Sequence, residues 1–218
     1  MKAIGLHHLG GSESLVYEET PKPIPKNNQV LVQVCATAIT PTEFEWYPTS
    51  HTPEGGKRPF PIILGHEFSG VLDAVGSDCT DVQVGEHIYG LSDWFINGAQ
   101  AEYCLTVPAH IAPKPITLEH TQAAVVPISA LTAWQALIDR AHLSAGQRVL
   151  IHGAAGGVGS FAVQLARRQN AHVIATASPA NIDFLEALGA DEVINYQITP
   201  FEPPLGTWMW CLIRSEAI

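Results

Sequence analysis

The run Gly153-Ala154-Ala155-Gly156-Gly157-Val158-Gly159 has the composition and spacing of a turn that cradles a phosphate. Small residues let the backbone bend sharply and come close to a pyrophosphate. A helix opening directly behind the turn adds free N–H groups and the positive end of its dipole. Ala154 stands where the usual first glycine would be, with Gly156 and Gly159 as the second and third. A tight turn without a ligand is the plain alternative. The strand before it, the helix after it and a second strand beyond favour the dinucleotide. At the end of that second strand, an Asp or Glu normally takes the ribose 2′-hydroxyl of NAD. Here the segment reads Thr176-Ala177-Ser178, and the first acid, Asp183, already lies in the next helix. Without a carboxylate there is no repulsion against a 2′-phosphate, and Ser178 is a donor for it. NADPH is therefore the expected cofactor.

These residues need elements to hold them. Arg148–His152 reads as a buried strand, 160–168 as a helix, His172–Thr176 as a second strand, Ile182–Leu188 as a second helix capped by Gly189, and Glu192–Asn195 as a third strand. Strand, helix, strand, helix, strand is half of a doubly wound parallel sheet. Upstream, Thr121–Ile138 is Ala-rich and helical in character, with a break at Pro127. The first 115 or so residues have another texture: short β-rich runs at 30–34, 68–75, 86–90 and 101–107, punctuated by Pro and Gly. That pattern predicts a barrel-like β domain. The expected division is a β domain over 1–117, the nucleotide-binding half-sheet over 118–200, and a tail over 201–218.

Composition narrows the function. Formal net charge is −10, which argues against nucleic acid or an anionic membrane as the main partner. The four cysteines form no C-x-x-C pair, so neither structural zinc nor a disulfide framework is expected. The opening MKAIGLHHLGG lacks the apolar run of a signal peptide, and no window reaches the ~18 apolar residues read as a membrane span. A cytoplasmic protein is expected.

Several segments together resemble one family. GHEFSGVLDAVGSDC (65–79) resembles the G-H-E-x-x-G-x-V-x-x-V-G signature of medium-chain dehydrogenases/reductases; 81–90, AAVVPISALTAWQAL (123–137), IHGAAGGVGSFAVQLAR (151–167) and the stretches 187–190 and 193–196 continue the likeness in order. The resemblance covers about residues 1–196. It implies a GroES-like β-barrel domain, a Rossmann domain with a doubly wound parallel sheet, and an active site in the cleft between them. It implies that Gly156, Gly157, Val158 and Gly159, with Ala155 in the same turn, meet the pyrophosphate. Thr132 would lie near the nicotinamide, and Ser178 and Tyr196 would hold the 2′-phosphate ribose. Relatives are commonly homodimers.

The alcohol-dehydrogenase branch adds a catalytic zinc, of which His66-Glu67 is half a site. Thr40 stands in the place of the cysteine that branch requires, and Val126-Pro127-Ile128-Ser129 offers no third ligand. No metal is expected. Thr40-Pro41-x-Glu43 instead resembles the Asn-Pro-x-Asp of the zinc-less, quinone-oxidoreductase-like branch. Hydrogen bonds must then polarise the substrate carbonyl, with Thr40 the first candidate donor and Tyr47 the second. The function implied is hydride transfer from NADPH to a quinone, an enone or a related carbonyl compound. The alternatives are a zinc-dependent alcohol dehydrogenase, a non-catalytic nucleotide-binding member, and an inactive fragment.

After Tyr196 the likeness stops. Read one frame over, the codons for Trp208-Met209-Trp210-Cys211 must contain Asp-Val-Val, which matches the family's fourth strand. A frameshift near Phe201–Gly206 that truncates a longer gene is therefore expected, with the third strand left as an unpaired edge.

Overall fold

The computed structural model describes residues 1–198 and the backbone of Trp210–Leu212. The chain divides into two compact units, Met1–Pro127 and Ile128–Ile218.

The first unit holds β1 (Lys2–Leu6), β2 (Leu15–Glu19), β3 (Val30–Thr37), a 3-10 turn Pro41–Glu45, the one-turn helix α1 (Tyr47–Ser50), β4 (Ile62–Ile63), β5 (Glu67–Val75), β6 (His87–Leu91), β7 (Tyr103–Thr106), β8 (Ile111–Pro113) and α2 (His120–Ala123). They form two sheets, ordered β2-β1-β4 and β7-β3-β5-β6-β8. One face of the larger sheet carries its apolar core. Val30, Val32, Phe68, Leu72, Ile88 and Cys104 make one core cluster, as the two-residue period of a strand requires. Leu6, Ile62 and Leu64 make a second cluster with Leu15, Phe44 and Phe60 around it.

Neither sheet is closed into a barrel, which corrects the architecture expected from the sequence. Closure needs the two edge strands to find each other in register. Here the edges are β7, four residues long, and β8, three residues long and ending in Pro113, which has no N–H to give. β3 also shifts register between Leu31 and Val32 and between Val34 and Ala36, bending the sheet without joining its ends. β1 meets the larger sheet only through an isolated Ala3–Ala101 bridge and single bonds such as Ile4 N–H to the Gln100 carbonyl, 2.8 Å. Punctuation by Pro and Gly reveals how short the strands are, and carries no information on closure.

α2 is tied to the larger sheet by a directional chain of hydrogen bonds. The Ser69 hydroxyl donates to the Ile88 carbonyl at 2.9 Å. Its oxygen therefore accepts from His120 Nδ1–H at 2.8 Å, which leaves His120 Nε2 facing His87 Nδ1 at 3.0 Å. Glu119 and Gln122 complete a capping box at the same helix end.

The second unit carries α3 (Pro127–Trp134), which continues as a π-helical turn over Gln135–Arg140, then β9 (Arg148–Ile151), α4 (Gly157–Arg168), β10 (His172–Ala177), α5 (Ile182–Leu188), β11 (Glu192–Asn195) and β12 (Trp210–Leu212). Pro127 opens α3, a position where its missing N–H costs nothing. By length and mean hydropathy (1.2), the run His120–Arg140 reaches that of a bilayer-crossing helix, contrary to the expectation from sequence that no stretch would. Its Ala133 and Leu137 are buried in the core of this unit. β9, β10, β11 and β12 pair in parallel, in the order β11-β10-β9-β12. Val149 and Ile151 of β9 and Val173, Ala175 and Ala177 of β10 point to one face and pack on Ala162, Val163 and Ala166 of α4 and Leu185 of α5. Gly189 ends α5 in the left-handed conformation, φ 106°. β12 takes the place beside β9, while β11 pairs with β10 alone among the described residues. The expected frameshift junction at Phe201–Gly206 lies outside the described residues.

Burial holds the His120 imidazole below the usual histidine range, reinforced by His87 and Lys114 and opposed by Glu119. A histidine whose pKa falls on folding contributes stability above its unfolded value, about 6.5, and loses it as pH drops below that value. Thermal melts from pH 8 to pH 5 are expected to decline at the acid end, with a shallower decline in His120→Gln.

Candidate functional site

The turn between β9 and α4 is shaped by the absence of side chains. Gly153 sits at φ 60°, and the Gly156 N–H closes the turn onto the Gly153 carbonyl at 2.9 Å. α4 then starts at Gly157, with Gly156 as an N-cap that brings no side chain of its own. The N–H groups of Gly157, Val158 and Gly159 have no acceptor within the helix, and they stand at the positive end of a 12-residue helix. At Gly159, a Cβ would lie 2.3 Å from the Gly153 carbonyl oxygen and 2.6 Å from Ala154 Cα. Only hydrogen fits there, so the first turn of α4 lies directly on the loop. Ala154 is fully buried beneath it, and Ala155 is half-buried. On the other side, a Cβ on Gly157 would stand 3.0 Å from the Ser129 hydroxyl of α3. Thr132, three residues further along α3, is exposed.

The strand ends beside this turn bring the remaining nucleotide candidates together. Ala177 is paired with Asn195, so Ser178 and Tyr196 are the next residue on each strand. Ser178 accepts a hydrogen bond from Asn181 Nδ2 at 3.3 Å, which leaves its own O–H to donate. Tyr196 is 50% exposed. No acid stands at the tip of β10; Asp183 is in the first turn of α5. His152 was not singled out by sequence reasoning. It follows β9 and contacts Thr176 Oγ1 of β10 at 3.2 Å, and burial holds its imidazole below the usual range. Only the pairing of β9 with β10 makes this visible, because the two residues lie 24 apart in the chain.

In the first unit, an open and mostly apolar cavity of about 610 Å³ is lined by Val34, Ile39, Thr40, Phe44 and Leu64, with Lys2, Glu43 and Glu102 also in its wall. Thr40 is the N-cap of the turn Pro41–Glu45, yet its hydroxyl makes no capping bond. It is thus free to donate to a ligand. Tyr47 does not line this cavity; it is exposed and stacks on His51, centroids 4.4 Å apart. The two donors named from sequence are therefore not brought to one place.

Glu43, which also lines this cavity, is paired with His66 in the interior. Glu43, 2% exposed, contacts His66 Nδ1 and also accepts from the Gly65 N–H at 2.8 Å. His66, 1% exposed, meets the Trp94 carbonyl through Nε2 at 3.1 Å. Both ring nitrogens are committed, and Thr40 offers a neutral hydroxyl where zinc would need a thiolate. These residues do not fit a catalytic zinc. Among the described residues no three His, Cys, Asp or Glu side chains converge as a metal site would require.

Comparison with known proteins agrees with this geometry. The model of the alcohol dehydrogenase GroES-like domain matches residues 26–176. The chloroplast envelope quinone oxidoreductase homolog of Arabidopsis thaliana is 34% identical over 198 residues, covering 86% of this chain and 58% of that protein. The human quinone oxidoreductase is 35% identical over 199 residues, covering 90% and 59%. Among solved structures, the quinone oxidoreductase from Coxiella burnetii superposes with a TM-score of 0.83 at 36% identity, covering 92% of this chain and 64% of that one. The chain thus spans under two thirds of the length of these relatives. The fold of the second unit is the Rossmann-like, nucleotide-binding kind typical of NAD(P)H-using medium-chain enzymes.

Because a side chain at position 159 would collide with backbone rather than with a movable side chain, Gly159→Val is expected to cost about 1–3 kcal/mol. Urea unfolding would register this as a lower midpoint, and an unchanged midpoint would mean that α4 does not sit on the loop as described.

Proposed function

Because this chain belongs to the medium-chain dehydrogenase/reductase superfamily, on its quinone-oxidoreductase-like side, we propose that it transfers hydride from NADPH to an uncharged quinone or enone without a metal. The observation that carries this reading is the β9–α4 turn: three helix N–H groups, a close approach that admits no Cβ, and no carboxylate at the tip of β10. The names of the relatives, quinone oxidoreductases from plant and human, support the substrate class.

In this reading the N–H groups of Gly157, Val158 and Gly159 hold the pyrophosphate, with Ala155 and Gly156 shaping the loop. Ser178 and Tyr196 donate to the 2′-phosphate, and Thr132 lies on the nicotinamide side. When bound, NADPH supplies the hydride. Apolar residues of the cavity, Val34, Ile39, Phe44 and Leu64 among them, offer the substrate ring an apolar surface. The Thr40 hydroxyl donates a hydrogen bond to the carbonyl oxygen, where negative charge grows as hydride reaches the other end of the conjugated system. Solvent then supplies the proton. Tyr47 is outside the proposed site. With no lysine or arginine between Thr176 and Asp183, the preference for NADPH rests on neutral donors and on the missing acid.

Nicotinamide fluorescence titrations are expected to give saturable NADPH binding, weaker binding of NADH, and turnover with 1,4-naphthoquinone. Ser178→Asp is expected to weaken NADPH binding about tenfold or more, equivalent to ~1.4 kcal/mol, and to leave NADH binding largely intact. Failure to bind either nucleotide would sink the reading. Binding without turnover of any quinone or enone would identify a nucleotide-binding member that does not catalyse.

A further inference from the structure

We propose that Glu43 and His66, sharing one buried proton, form a clamp that holds Thr40 at the cavity, so that both are positioning residues for the carbonyl-binding hydroxyl. The inference rests on the reading of that cavity as the substrate site.

The turn that begins at Thr40 is held from several sides, and each hold passes through Glu43. The Glu43 N–H donates to the Thr40 carbonyl at 3.0 Å. The Glu43 carbonyl accepts from the Thr49 hydroxyl at 2.6 Å, so the far side of the turn is fixed as well. The carboxylate reaches into the interior and binds the Gly65 N–H and His66 Nδ1. Gly65 offers that N–H from a left-handed conformation, φ 90°, at a point where a Cβ would lie 2.9 Å from the Gln100 backbone nitrogen. The anchor is thus a stretch of backbone with little freedom. His66 in turn stacks on Trp94, with centroids 5.2 Å apart and planes 23° from parallel, and Trp46 packs edge-on against Trp94 at 5.4 Å. Trp46 immediately follows the turn, so the aromatic contacts close a ring from the turn to the anchor and back.

Hydrogen-bond bookkeeping fixes the proton count. A carbonyl can only accept, so the His66 Nε2 that faces the Trp94 oxygen carries a hydrogen. Nδ1 then faces a Glu43 oxygen at contact distance. Two lone pairs cannot face each other there, so a proton lies between them. Whether the pair is written as imidazolium and carboxylate or as imidazole and carboxylic acid, it holds one proton and is neutral as a unit. A buried pair of this kind tolerates the loss of neither partner. Thr40 hydrogen-bonds through its backbone to the clamp, while its hydroxyl stays unspent. Loosening the clamp would therefore move the hydroxyl without removing it.

The test uses the full chain. Nitrogen-15 spectra of the wild type should show His66 with hydrogen on Nε2 and an exchange-protected proton at Nδ1; a bare lone pair at Nδ1 overturns the proposal. In Glu43→Gln, the Thr40 methyl resonance should shift, and kcat with 1,4-naphthoquinone should fall about tenfold while NADPH affinity is unchanged. Glu43→Asp, which keeps the acid, should recover part of the loss. An unmoved Thr40 resonance, or an equal loss of NADPH binding, argues against positioning. Should Glu43→Gln fail to fold, Thr49→Val removes one hold on the same turn and is read by the same resonance. If the wild type turns over no quinone, the functional reading fails, whereas the Thr40 resonance still decides the clamp.

Discussion

The contact between the first turn of α4 and the Gly153 carbonyl sets the geometry of the whole nucleotide-binding unit. With no Cβ at Gly159, the helix axis can come down onto the loop, 2.3 Å being the distance at which any side chain would strike backbone. That approach places Ala162, Val163 and Ala166 of α4 over the alternate residues of β9 and β10. Small residues on the helix face and branched residues on the strands are what so close a packing can accommodate. The same approach leaves the helix N–H groups facing outward beyond the strand ends. Core and binding turn are two consequences of one steric fact.

The first unit depends on a different economy. Its sheets are short and open, so the strands alone do not fix the loops that carry Thr40 and Trp94. Buried polar groups do that instead. Glu43, His66, Ser69 and Thr49 are all nearly inaccessible to water, and each makes the hydrogen bonds that burial demands. Such links are directional, and they hold loops at angles that apolar contacts would leave loose.

Sequence reasoning read the second unit well because its signals are local. A strand pattern, a glycine turn, a helix pattern and a capping glycine follow one another within a few residues. α5 spans Ile182–Leu188 and β11 spans Glu192–Asn195, as the pattern indicated. What it missed depends on distant partners. Glu43 and His66 are 23 residues apart, and Ser69 and His120 are 51 apart; nothing in either neighbourhood names the other. β1, β2, β4 and β8 went unread; for β4 and β8, two or three residues give no period to register. The barrel was inferred from strand shortness, yet closure is settled by edge pairing. The tail shows the same limit. Its composition set it apart from the rest of the chain, but the backbone of Trp210–Leu212 runs parallel to β9 in register with Val149–Ile151. Backbone pairing asks only for an extended segment within reach of an edge, whatever its side chains.

The chemistry of the proposed site follows from what stands in place of a cation. A metal would polarise a carbonyl through a full positive charge, and such a charge needs anionic or strongly basic ligands aimed at it. In this chain the histidine that could have been one is turned inward, its nitrogens occupied by an acid and a backbone carbonyl. The group that this turn presents to the cavity is a neutral hydroxyl, with Ile39, Phe44 and Leu64 in the same lining. In water a hydroxyl donor would be a weak catalyst, because solvent competes for every hydrogen bond. Apolar neighbours reduce that competition, and a donor already in position needs no reorganisation as charge develops. In the proposed reaction, the accuracy with which the turn is held then matters more than the strength of the donor.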